Sequence, residues 1–184
     1  MSIKKIIIAL FIALFVTGCA SPRKTVIMDK HAKEKVVQPV AFYVLVVGNT
    51  RYTDDDETIE VGKIFQEKAS ERLQKLGVLA AENDGKNHYV IHVNIISYRP
   101  GNAAGRYFAG QFTNSFDSSI IIHAHMCEAI QGNNGIEAGN SLARIPTNKD
   151  LHEGLFGGIG GWESVIVDAA WDLINTVEEI FLDD

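Results

Sequence analysis

The chain has 184 residues, of which 46% are hydrophobic and 22% charged, and a formal net charge of -6. That composition is globular, the length suits a single domain, and four prolines with 16 glycines do not make a disordered chain. The acidic balance excludes long-range attraction to nucleic-acid phosphates, and two cysteines are too few for a disulfide scaffold.

The N-terminus carries Lys4 and Lys5, then an uninterrupted apolar run from Ile6 to Val16. These 11 residues are too few to span a bilayer, which takes roughly 20. A basic flank and a run of this length are the marks of a secretory signal. The run ends in Val16-Thr17-Gly18-Cys19. That ending resembles the lipobox of bacterial lipoproteins, an aliphatic residue and two small ones before an obligatory cysteine. The resemblance implies that residues 1–18 are removed as a signal peptide. It also implies that the Cys19 thiol carries diacylglycerol and the new amine an acyl chain such as palmitate. Two or more chains anchor firmly where one holds only marginally. Ala20 and Ser21 follow, with no aspartate beside the cysteine. In enteric-type bacteria this implies the outer membrane, with the body facing the periplasm. With Cys19 lipidated, Cys127 has no intramolecular partner, so the body folds without a disulfide.

Residues 19–40 are polar, lysine-rich and without a sustained apolar period, and are expected to form a flexible tether. Residues 41–184 are expected to form one α+β domain. Ala41 to Val47 is aromatic and β-branched, which predicts a buried strand. Asp54-Asp55-Asp56-Glu57 is expected to open a helix, where acids favour the positive end of the dipole. As a calcium loop the run fails, because the places needing glycine and glutamate hold Ile59 and Phe65. The helix is expected over residues 58–76, with Val61, Phe65, Ala69 and Leu73 on its core stripe, joined by Ile64 and Leu76. Gly77 is placed to stop it.

Asn83-Asp84-Gly85 signals a turn. A strand is expected over residues 88–98, with Tyr89, Ile91, Val93 and Ile95 on one face and His88, Val90, His92, Asn94 and Ile96 on the other. Strands follow over residues 119–130 and 136–145, joined by the hairpin signal Asn133-Asn134-Gly135. Residues 149–161 form a glycine-rich loop, expected to be mobile. A final helix is expected over residues 162–182, its core stripe built from Ile166, Ala169, Ala170, Leu173, Val177 and Ile180. The order βαβββα predicts a mainly antiparallel sheet of about four strands with two helices packed on one face.

The segment Gly101-Asn102-Ala103-Ala104-Gly105-Arg106-Tyr107-Phe108-Ala109-Gly110, with the lipobox and the glycine-rich loop before the last helix, resembles a bacterial lipoprotein family, the domain of unknown function 4410. The resemblance runs over about residues 42–181. The family's further glycines give way here to Gln111-Phe112-Thr113-Asn114. The element order is also similar to that of the periplasmic domain of curli-secretion-type lipoproteins, an analogy of fold that establishes no function.

His123, His125 and Cys127 alternate along one strand and therefore share a face. His92 could join them if its strand pairs antiparallel. Imidazoles and a thiolate suit zinc or copper. Three ligands in a straight row cannot all converge, since His123 and Cys127 would stand roughly 13 Å apart. The metal candidates are therefore His92, His123 and His125, and otherwise the row is an exposed polar face with one small buried thiol. Arg106, Tyr107 and Phe108 are the candidate partner-binding residues, because arginine and aromatics concentrate at interface hot spots. The residues before the last helix lack the Gly-Lys-Ser/Thr of a phosphate loop, and no Gly-x-Ser-x-Gly or His-Glu-x-x-His occurs. The expectation is a lipid-anchored, non-catalytic binding or assembly accessory with an envelope protein partner. The alternative is a metal-binding lipoprotein.

Overall fold

The computed structural model describes residues 33–54, 57–101, 118–133, 135–147, 151–152 and 162–182. The expected signal peptide, Cys19 and the first part of the expected tether lie outside them. So do Arg106, Tyr107, Phe108 and most of the glycine-rich loop.

Strand β1 (Val40–Gly48) leads into a small hairpin of β2 (Tyr52–Asp54) and β3 (Glu57–Ile59). Helix α1 (Val61–Lys75) follows, then β4 (Asn87–Arg99), β5 (Ser119–Gly132) and β6 (Gly135–Ile145). A two-residue strand β7 (Leu151–His152) precedes helix α2 (Trp162–Phe181). The main sheet runs β1-β4-β5-β6, with β7 added to β5 beside Ser119 and Ile120. β1 is parallel to β4 and every other pair is antiparallel. This is the α+β architecture expected, enlarged by the hairpin and by β7.

One face of the sheet carries the core. Phe42 and Val44 of β1 lie beside Tyr89, Ile91, Val93 and Ile95 of β4, all buried. Ile120, Ile122, Ala124 and Met126 of β5 continue the layer to Ala143 and Ile145 of β6. Both helices close over it in one cluster. α1 contributes Val61, Phe65, Ala69 and Leu73, and all six stripe residues expected of α2 are buried. α2 also buries Val165, Ile174 and Phe181, a wider arc than the stripe. It has two partners, since it packs on the sheet and against α1. Among the described residues no helix is long and apolar enough to cross a membrane.

The expected punctuation is in place. Gly77 has φ +71°, donates to Gln74 O at 3.0 Å, and is followed by a Val78 N–H bound to Leu73 O at 3.1 Å. That pair of bonds caps the α1 carbonyls in a Schellman motif. Asn83 and Gly85 both have positive φ, and between them Asp84 accepts from the Lys86 and Ala81 backbone N–H groups and binds His88 Nε2 at 2.8 Å. The Lys86 bond above all holds the Asp84 carboxyl down at about 2. Gly132 faces Gly135 across the β5–β6 turn.

The acidic run is a correction. Asp54 pairs with Glu57 at the end of the β2–β3 hairpin, and α1 starts only at Val61. The reason is tertiary. Tyr52 stacks edge-on against Tyr98 at 5.8 Å, Ile59 is buried, and the Gly62 N–H is bound to Thr50 O at 2.9 Å. Those anchors hold Tyr52–Asp54 and Glu57–Ile59 extended. The tether is shorter on the described side than its composition suggests. Val36 is buried, Val37 N donates to Tyr89 Oη at 2.9 Å, and Gln38 Nε2 donates to Phe181 O at 2.9 Å. Leu151 and His152, expected in the glycine-rich loop, form β7.

Candidate functional site

The sheet face away from the helices holds the histidines. β4 and β5 pair antiparallel, and the register sets His92 directly opposite His125 and Asn94 opposite His123. Val90 lies opposite Cys127 in the same ladder. Directly opposed side chains have Cβ atoms about 4.5–5.5 Å apart, near enough for two imidazoles to share an ion. His125 also faces Arg144 of β6, and its Nδ1 lies 3.2 Å from Ser141 Oγ. Burial, then Arg144, then His92 and His123 lower the proton affinity of His125 below the ordinary histidine value of 6.5. His123 is exposed. Cys127 is buried, and burial raises its thiol above its usual range. Among the described residues no group of three His, Cys, Asp or Glu is arranged to hold a metal ion.

This face also presents half-buried Tyr43, Leu45 and Val47 from β1 and exposed Ile96 from β4. It is a mixed surface: apolar along β1, imidazole-rich in the middle, cationic at Arg144.

A second concave place lies where β1 gives way to α1. Val46 and Thr50 form one side of an open groove of about 690 Å³. Lys63, Gln66, Glu67 and Ser70 line it along α1. At one end Arg51 Nε donates to the Glu60 carboxylate at 3.0 Å. Gly62 makes this junction tight, since a Cβ there would meet Thr50 Cβ at 2.7 Å. The groove is not legible in the sequence. Its residues are ordinary polar positions on the solvated side of a helix, and only the crossover from β1 to β4 brings them beside a strand edge. The one sequence signal is Gly62, a glycine inside an otherwise regular helix start.

Of the expected partner-binding residues, none is among those described. The described residues stop at Gly101 and resume at Ser118, whose hydroxyl donates to Pro100 O at 2.6 Å.

No protein-family model matches the chain. No curated protein matches it. Among solved structures, the PelC dodecamer from Paraburkholderia phytofirmans is similar at a TM-score of 0.43 and 14% identity. The likeness covers 77% of this chain and 91% of that one. A variant of the same PelC dodecamer is similar at a TM-score of 0.44 and 12% identity, over the same shares.

Proposed function

We propose that the chain is a lipid-anchored cell-envelope lipoprotein that serves in the periplasm as a non-catalytic binding or assembly accessory. The observation that carries this reading is the N-terminal order of basic flank, short apolar run and Val16-Thr17-Gly18-Cys19. The body supports a binding role through its surfaces: helices cover one sheet face, the other offers side chains of mixed character, and an open groove lies between β1 and α1. Cys19 is the lipidation site. Arg106, Tyr107 and Phe108 remain the partner-contact candidates. The test is metabolic labelling with an alkyne palmitate. Label is expected on the wild-type chain in the outer-membrane fraction and absent from Cys19→Ser. An unlabelled wild-type chain would end the reading. Detergent extraction with a C-terminal tag should then give a discrete complex with an envelope protein, weakened by Arg106→Ala.

The opposition of His92 and His125 favours a second reading, a zinc or copper site completed by His123 or by a partner's ligand. Calorimetric titration of the chelator-treated protein should then give one site, lost in His125→Ala. No heat with either metal would remove this reading.

A further inference from the structure

The outer edge of β1 is occupied over only part of its length. Phe42 donates its N–H to Val78 O at 2.8 Å and accepts from the Ala80 N–H at 3.0 Å. The short segment at Leu79 thereby lies parallel to β1, on the side away from β4. Backbone groups of successive strand residues point to opposite sides within the sheet plane. Val44 and Val46 therefore point the same way as Phe42. The odd-numbered neighbours confirm the parity from the other side, since Asn49 N donates to Ile95 O and Pro39 O accepts from Asn87 N, both on β4. Among the described residues nothing bonds the backbone of Val44 or Val46 on the outer side.

Beside that open stretch runs the groove. Val46 belongs to both, and Lys63, Gln66 and Ser70 stand along its helical wall. From Lys63 to Ser70 the helix rises about 10 Å, the length of about three extended residues. The wall thus matches the unpaired length of the strand.

We propose that the open edge of β1, with α1 as its wall, is a docking site for an extended segment of a partner protein, which joins the sheet as a strand beside Val44 and Val46. This rests on the proposed binding role and gives it a location. The edge selects the chemistry. Donors and acceptors that alternate at strand spacing are matched by another main chain, the basis of strand addition. The chain uses the same edge itself, two residues earlier, to hold Leu79. The wall offers an ammonium, an amide, a hydroxyl and the Glu67 carboxylate. Polar side chains suit the helix-facing positions of the incoming segment better than long apolar ones.

The experiment uses the full-length chain in detergent and a phage-displayed library of unstructured twelve-residue peptides, with one selected peptide as the probe. Backbone amide exchange is followed with and without it. Slowed exchange at Val44 and Val46 is expected. Val46→Pro removes one edge N–H where an edge strand tolerates proline. Gln66→Trp fills the groove from an exposed helix position. Each should weaken the peptide about tenfold or more, with thermal melts confirming that both variants fold. Failure to select any peptide overturns the proposal. So does protection confined to other strands, or unchanged affinity in folded Gln66→Trp. A homo-oligomer that both variants dissociate would assign the edge to a second copy and overturn the partner-segment reading. The accessory role is judged separately: an envelope complex retained intact by folded Gln66→Trp would refute this site and leave that role standing.

Discussion

Gly48 shows how one residue can be dictated by backbone alone. It ends β1 with φ +89°, a conformation that L side chains rarely adopt. An added Cβ would press on Asn94 Oδ1 and stand 2.5 Å from the Ile95 carbonyl oxygen. The obstruction includes backbone, so no rotamer change relieves it. Gly48→Ala should cost about 2–4 kcal/mol, read from the urea midpoint at unchanged m-value. His125 makes a different prediction. Its folded-state proton affinity is lowered, chiefly by burial. Below pH about 6.5 the unfolded chain takes up a proton that the folded chain resists, so stability falls as pH falls. With a chelator present, the urea midpoint should drop between pH 7 and pH 5, and drop less in His125→Gln. Parallel curves for the two proteins would show that His125 does not contribute to this pH dependence.

At the scale of elements, the α1–α2 seam separates packing from charge. Leu73 is fully buried in the core that both helices share with the sheet, with Phe65 and Ala69 on the same stripe. Beside it Arg72 reaches Glu178 at 3.1 Å and Asn175 at 3.0 Å, and Lys75 lies 5.3 Å from the Trp171 ring. Arg72 and Glu178 keep about a third of their side-chain surface exposed, so solvent screens the pair. Leu73→Ala should cost about 2–5 kcal/mol, and Arg72→Ala less than about 1 kcal/mol. Chemical denaturation of the two variants side by side checks the ranking. A larger loss from Arg72→Ala would mean that the charged network, not the apolar stripe, sets the helix spacing.

For the whole molecule, the approach to β1 is part of the fold. Lys35 Nζ donates to Leu142 O at 2.9 Å, so the segment touches β6 as well as β4 and α2. A chain starting at Val40 should be less stable than one starting at Lys33 by about 2–3 kcal/mol, from one buried valine and several hydrogen bonds, less the entropy of ordering them. Equal thermal midpoints would place the domain boundary at β1. If the lipid anchor is as proposed, this attachment also fixes where the body leaves its membrane leash: at the side where β1 and β4 start and α2 ends.

Local pattern alone determined much of this. The alternation in β4 and β5, the α1 stripe and the signals at Gly77, Gly85 and Gly135 are short-range facts, and the chain obeys them because each agrees with the core it serves. The face-sharing of His123 and His125 followed from period-two geometry. Pairing, however, is long-range. That His92 meets His125 rather than His123 depends on the β4–β5 register, which bulges shift and no single strand specifies. The acids at 54–57 suited a helix start by local preference, yet Tyr52 and Ile59 found tertiary partners that hold a hairpin instead. The groove is the clearest case. Lys63, Gln66 and Ser70 are ordinary polar positions on one helix, and only the parallel crossover from β1 to β4 lays them along a strand edge with bonds to offer.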